Sequence, residues 1–257
     1  MLLLPNFSFS QVNIESIRNK QKEKMFWGET KGSLELQRGN VDITAFDLNF
    51  LMHFKNKKHH MFLQSKNSQG QQSDKKFKNN SFVHFRWTWM QWNIIGLELF
   101  TQLQQDEFKS LKIRQLNGGG LRSEIVKKEN ISLSIGSGAM LDHEVISNKQ
   151  TSTLLRSTSY LSMIKSFDEK KNNLILLTLY YQPLFTNKKD YRINLEANVR
   201  TILISSWNIS LDNSINFMYD TKPPDSVLTN DFIIKMGVLV SFWYYMLISL
   251  AFLSRHQ

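Results

Sequence analysis

The sequence predicts an all-β fold: a closed antiparallel transmembrane β-barrel of about twelve strands, within a range of about ten to twelve. Three observations predict it. Hydrophobic residues alternate with a period of two along most of the chain. The alternating runs are longer than ordinary soluble strands. The two faces they define have the opposite polarity to a soluble barrel that fits in the same volume.

The alternation is clearest from Tyr191 to Leu203. Tyr191, Ile193, Leu195, Ala197, Val199 and Leu203 share one face, and Arg192, Asn194, Glu196, Asn198 and Arg200 share the other. Trp207, Ile209, Leu211, Ile215, Phe217 and Tyr219 continue the pattern against Asn208, Ser210, Asp212, Ser214, Asn216 and Asp220. Successive strand side chains point to opposite faces, so each run has one apolar and one polar side. Strands are expected at 32–38, 41–54, 59–66, 81–92, 95–106, 111–125, 131–146, 151–166, 172–183, 190–204, 207–220 and 229–243. The first two also read as one bent strand across Arg38-Gly39-Asn40. Most segments meet the ~9–11 residues that a tilted strand needs to cross a bilayer. The connections at Trp92–Ile94, Lys127–Asn130 and Ser205–Ser206 are tight, whereas 67–80 and 221–230 read as longer polar loops on one side. Lys75, Lys76 and Lys78 in the first of these suit the phosphates of an anionic outer-membrane glycolipid.

The polar face carries Arg86, Glu98, Arg114, Arg122, Glu124, Arg192, Glu196, Arg200 and Asp212. Charges of both signs on one face suit a lumen in which they neutralise one another, more a salt-bridged plug than a selectivity filter. The apolar face carries Phe85, Trp87, Trp89, Tyr191, Trp207, Phe217 and Tyr219, many near strand ends, as in the aromatic girdles of membrane barrels. The alternative is a soluble periplasmic barrel with the apolar face inward, around an apolar ligand.

The stretch FTQLQQDEFKSLKIRQLNGGGLR, Phe100 to Arg122, has three consecutive glycines. No Gly-Lys-Ser/Thr and no following helix accompany them, so a phosphate-binding loop is excluded. Gly118 and Gly120 fall on the inward face of a strand, where glycine marks a bend, a bulge or room for a bulky neighbour. An arginine from a neighbouring strand is an expected occupant of that space.

The same stretch resembles the central signature of the DUF481 family of YdiY-like, salt-induced outer-membrane proteins. The matching residues are Phe100, Gln102, Asp106, Glu107, Leu111, Arg114, Leu116, Gly118, Gly120, Leu121 and Arg122. Arg38-Gly39-Asn40, His84-Phe85-Arg86 and Pro223-Pro224 agree on the flanks. The resemblance covers roughly 30–243. It implies an antiparallel outer-membrane barrel and no reaction, since the family has no assigned activity. It also implies a last strand, Asp231 to Trp243, ending in an aromatic, Phe242 or Trp243, that barrel-assembly machinery reads.

The ends depart from this pattern. Residues 1–10 read as the remnant of a signal peptide, with Ser8 and Ser10 as small residues before a cleavage site and Gln11 first in the mature chain. Residues 11–30 read as a periplasmic segment, 31–243 as the barrel and 244–257 as an atypical tail. Met236 to Leu253 is free of charge and approaches the ~20 residues of a membrane helix. Lys235 and the alternation from Asp231 to Trp243 favour a strand instead.

Composition excludes several functions. With no cysteine there is no disulfide framework, thiol catalysis or Cys-based metal site. The net charge of +10 favours anionic partners. The basic residues are dispersed and form no nucleic-acid motif. His84 and His143 have no acid or serine at a readable spacing, so no catalytic residue is assigned. His59 and His60 are adjacent in a strand and face opposite ways, so they make no metal pair. No cofactor or metal is expected.

Overall fold

The computed structural model describes residues 25–37, 42–73, 75–92, 94–146, 150–168, 172–223 and 227–243. Twelve strands follow in chain order: β1 (Phe26–Gln37), β2 (Ile43–Lys55), β3 (His59–Gln72), β4 (Lys75–Trp89), β5 (Ile95–Asp106), β6 (Leu111–Lys127), β7 (Ile131–Ile146), β8 (Thr151–Ser166), β9 (Asn173–Pro183), β10 (Tyr191–Ile204), β11 (Ile209–Asp220) and β12 (Asn230–Trp243). A short 3-10 helix, Glu107–Lys109, joins β5 to β6. Every strand pairs antiparallel with its sequence neighbours, and β12 returns to β1 to close the barrel. The closing ladder pairs the two edge strands from Trp27–Trp243 to Gly32–Val238, where it blunts edges that would otherwise template aggregation. An even number of strands puts Phe26 and Trp243 at one end, here the near end.

Two expected boundaries are corrected. β1 starts at Phe26, inside the stretch read as a periplasmic segment, because Gly28, Thr30 and Gly32 interrupt its apolar row and hide the period. The expected polar loop at 67–80 is the far end of the β3–β4 hairpin, paired up to Gln72–Lys75. There both faces are polar, so alternation gives no signal. Ser73 makes the turn with a left-handed φ of 51°. Lys78 is therefore not in a loop; it is buried in the lumen and its Nζ lies 2.7 Å from Asp47. Lys75 and Lys76 remain exposed at the strand tip. Residues 1–24 and 244–257, with Arg38-Gly39-Asn40 and Pro224, lie outside the described residues.

Outward-facing Leu97, Leu99, Leu121, Ile135, Leu161 and Ile215 are all exposed. On β10 the outward row from Tyr191 to Leu203 covers about twelve residue steps of ~3.3 Å. At a tilt of ~40° it spans ~30 Å, enough for the ~25 Å apolar band of a membrane barrel. Aromatic stacks flank the band. His59, Trp87 and Trp89 stack near one rim, with centroids 5.8 Å (His59–Trp87) and 6.5 Å (Trp87–Trp89) apart. Tyr181, Tyr191 and Tyr219 line up near the other, at 5.7 and 5.9 Å. Met236 to Trp243 belongs to β12, and no helix among the described residues is long and apolar enough to cross a membrane.

Candidate functional site

Among the described residues, the lumen holds four ionic clusters, each joining side chains from three or more strands. In the far half, Asp142 on β7 is the hub. Its carboxylate accepts from Arg114 at 2.9 and 3.0 Å, from Arg156 at 3.2 Å and from Arg192 at 2.5 Å. Its side chain is 1% exposed. Glu144 lies 2.9 Å from both Arg114 and Arg192, Asp190 accepts from Arg156 at 2.9 Å, and Asp220 accepts from Arg192 at 2.6 Å. Guanidinium and carboxylate forks suit such shared contacts, because each oxygen accepts more than one donor.

Nearer the middle, Glu98 accepts from Arg86 at 3.1 Å, from Thr88 at 3.1 Å and from the Tyr160 hydroxyl at 2.7 Å. Arg122 in turn donates to the Tyr160 oxygen at 3.0 Å and to Ser134 at 2.7 Å. Toward the near end, Arg200 joins Asp212 at 3.2 Å to Glu29 at 3.3 Å, and Ser241 donates to Glu29 at 3.3 Å. A further set surrounds Asp47, which accepts from Lys78 and Ser68 and lies 3.6 Å from Lys235.

Of the residues predicted from sequence, Arg86, Glu98 and Arg122 meet in the middle cluster, Arg114 and Arg192 in the far cluster, and Arg200 and Asp212 in the near one. Glu196 faces a cavity and accepts from Asn198 at 3.1 Å. Glu124 stands apart from these clusters. A bulge between Glu124 and Val126 ends the inward register, and the carboxylate pairs with Lys127, whose side chain is 63% exposed. Phe242 faces outward and stacks on Phe50 at 6.0 Å. Trp243 is in register with Trp27 at the end of β12.

The glycines make room for something other than an arginine. A Cβ on Gly118 would lie 2.5 Å from the Phe100 ring. The arginine stands one layer further in, with the Arg86 guanidinium 5.0 Å from the centroid of that ring, a cation–π contact. Gly120 faces Gly138 across β6–β7, and a Cβ on it would lie 2.3 Å from the Ser137 carbonyl oxygen. The bulges of β6 lie elsewhere, near its two ends.

At the far rim, past Leu103, Asp106 caps the 3-10 helix by accepting from the Phe108 N–H at 3.1 Å. Burial pushes its carboxyl up to about 6, against the pull of the Lys109 ammonium. Lys109 is itself pushed down by burial while its Nζ donates to Asp231 at 2.6 Å.

Side chains fill most of the interior. Arg86, Arg122 and Arg156 are fully buried, along with Phe62, Phe82 and Leu176. A polar cavity of about 320 Å3 remains between β1–β3 and β10–β12, lined by Glu29, Asp47, Gln64, Arg200, Asp212 and Lys235. His84 is buried against Gln102 at 3.1 Å, and His143 faces outward against Thr153 at 2.8 Å. His59 points out to the Trp87 indole and His60 inward, with its Nε2 3.0 Å from Nδ1 of His53. No group of three or more His, Asp or Glu among the described residues is arranged to hold a metal.

Sequence reasoning missed Asp142, Arg156, Asp190, Glu29 and Tyr160. Asp142 was legible as an inward residue of an alternating strand. Arg156 shares its face with Leu154, Tyr160 and Ile164, so the polar row that should have revealed it is broken. Asp190 precedes β10 and carries no periodic signal.

The family model for a protein family of unknown function, DUF481, matches residues 32–242. The chain belongs to the DUF481 family. Its central signature is the β5–β6 hairpin, which places Arg114 and Arg122 in two of the clusters and Asp106 on the turn. Among solved structures, the chain is similar to the NanC porin, with 7% identity over 85% of this chain and 100% of that one and a TM-score of 0.51. It is also similar to the KdgM porin in complex with disordered oligogalacturonate, at 9% identity, 85% and 99% coverage and a TM-score of 0.48. A bacterial polysaccharide outer-membrane secretin is similar at 7% identity, 86% and 98% coverage and a TM-score of 0.46. The likeness to the NanC porin is one of fold. Curated proteins give no match to this chain.

Proposed function

We propose that this DUF481 chain is an integral outer-membrane barrel, with its near end in the periplasm and its lumen closed by a salt-bridged plug. Its role is structural in the envelope, with at most a narrow polar path through the lumen. The observation that carries this reading is the pairing of an apolar exterior between aromatic belts with an ionic interior. In water the exterior would be costly, and in lipid it is favourable. The buried Arg86, Arg122 and Arg156 side chains support a lumen that restricts solute passage. Phe242, outward at the end of β12, suits recognition by barrel-assembly machinery. Lys75 and Lys76 at the far tip suit anionic glycolipid phosphates at the outer surface. No reaction is proposed.

The test is conductance of the purified protein in planar bilayers. Insertion with no steps, or steps at the limit of detection, is expected. Large stable steps would refute the plug. Recovery of the protein in the soluble periplasmic fraction would refute the membrane placement.

A further inference from the structure

The ladder that closes the barrel is short. β1 and β12 pair from Trp27–Trp243 to Gly32–Val238 and no further among the described residues. On their other sides both strands continue, β1 with β2 up to Gln37–Ile43 and β12 with β11 up to Asn230–Tyr219. A gap therefore opens in the wall beyond Gly32. The other short ladder, between β8 and β9, is different, because a loop covers it: Leu184 bridges to Arg156, and the Phe185 N–H donates to the Leu155 carbonyl at 3.1 Å.

The gap lies at bilayer depth. Asn230 is level with Tyr219 of the far aromatic belt, so Phe232, Ile234 and Met236 lie within the apolar band. Met236 is 74% exposed on one side of the gap and Leu34 is 65% exposed on the other. Strand edges in hydrocarbon are tolerated only where protein covers them or where they line a polar cavity. Here they line one. The walls of the 320 Å3 cavity include outward-facing Gly32, Leu48 and Met236 as well as inward-facing Gln64, Asp212 and Lys235. A cavity that touches both faces of a sheet passes through it.

The lining specifies a ligand. Gln64 Oε1 and Asp212 Oδ1 are buried acceptors with no hydrogen-bond partner among the described residues. Both require N–H or O–H donors. The charged lining balances: Lys31, Lys66, Arg200 and Lys235 stand against Glu29, Asp47, Glu196 and Asp212, four minus four, or zero. A neutral, donor-rich head fits this better than a phosphate. The volume is at the lower end of the ~300–1,000 Å3 of small-molecule sites, the scale of one sugar.

We propose that the β1–β12 gap is a lateral portal for a membrane amphiphile, which places a hydroxyl-bearing head group in the lumen cavity while its apolar chain stays in the bilayer between Leu34 and Met236. The proposal rests on the membrane placement given above.

The chain has no cysteine, so the gap can be locked cleanly. Leu34 and Met236 are the outward positions that would pair next if the ladder ran on past Gly32–Val238, and oxidation of the double variant Leu34→Cys/Met236→Cys is the lock that draws the two edges together. Gly32→Trp fills it without a crosslink. The protein is purified in an amine-oxide detergent, which has no hydroxyls, and octyl glucoside is added as the probe. Bound probe is counted by native mass spectrometry. One octyl glucoside per wild-type chain is expected. A loss of at least about tenfold is expected in the oxidised double variant, in Gly32→Trp and in Gln64→Leu, with recovery when the disulfide is reduced. Absence of an adduct on the wild type overturns the proposal, as does binding unchanged by both the lock and Gly32→Trp. Equal binding of octyl phosphocholine overturns the hydroxyl-bearing head. Equal, lock-insensitive binding of free glucose means entry through the barrel mouth and overturns the portal. Failure of the membrane placement has a separate sign: the protein stays soluble without detergent.

Discussion

Asp142→Asn is the substitution that tests the ionic lumen most sharply. The side chain keeps its shape and loses its charge. Three guanidiniums, Arg114, Arg156 and Arg192, lose a shared partner at contacts of 2.5–3.2 Å. None is left stranded, since Arg114 keeps Glu144, Arg156 keeps Asp190 and Arg192 keeps both Glu144 and Asp220. Removing one partner of a buried ion pair costs ~3–5 kcal/mol. Because each arginine retains a carboxylate, the lower end, about 3 kcal/mol, is expected. The control is Glu124→Gln, which breaks the partly exposed pair with Lys127 and should cost no more than about 1 kcal/mol. Urea unfolding in lipid vesicles, followed by tryptophan fluorescence and by mobility on unheated gels, reads both variants. A loss below about 1 kcal/mol for Asp142→Asn would mean that the far cluster does not hold the barrel together.

Three further outcomes follow from the same geometry. Gly120→Ala forces a Cβ against backbone at 2.3 Å and should cost ~1–3 kcal/mol or block folding, whereas Gly32→Ala meets nothing nearer than 4.0 Å and should be tolerated. Tyr160→Phe removes a hydroxyl that both donates to Glu98 and accepts from Arg122, and it should cost ~1.5–3 kcal/mol in the same unfolding assay. Asp106 is raised from its ordinary 3.8 to about 6, so between these values the folded chain holds a proton that the unfolded chain has lost. Its contribution to stability is therefore largest below about pH 4, falls as the pH rises to about 6 and is flat above. Subtracting the pH profile of Asp106→Asn from that of the wild type should isolate this slope, and parallel profiles would refute it.

The sequence makes the strands legible wherever one face is apolar, because burial in lipid demands an uninterrupted outward row. β9, β10 and β12 are readable for that reason. The far half of the β3–β4 hairpin is not, since Ser68 and Lys78 face inward while Gln69 and Asn79 face outward, polar on both sides. Much of the charged face was legible from the alternation, although Arg156 and Asp190 were not. Its pairings were not, because Arg200 meets Glu29 only when the first and tenth strands are brought together by closure. Inward Phe100, Tyr160 and Leu176 also blur the polarity rule, since a lumen packed with side chains accepts apolar groups that a water-filled one would not. Gly118 illustrates the limit. Period two puts it inside, but the Phe100 ring over it comes from register, which the alternation does not encode.

The central claim is that the apolar rows face lipid and the charged rows face the lumen. Nitroxide labels on single cysteines along β10, introduced one at a time in reconstituted vesicles, test it directly. Leu195, Ala197 and Val199 should collide with oxygen and not with a water-soluble nickel chelate, whereas Asn194 and Asn198 should be shielded from oxygen. A period of two in oxygen accessibility is the predicted result. Outward positions that collide with the nickel chelate, in a protein that stays soluble without detergent, would contradict the account.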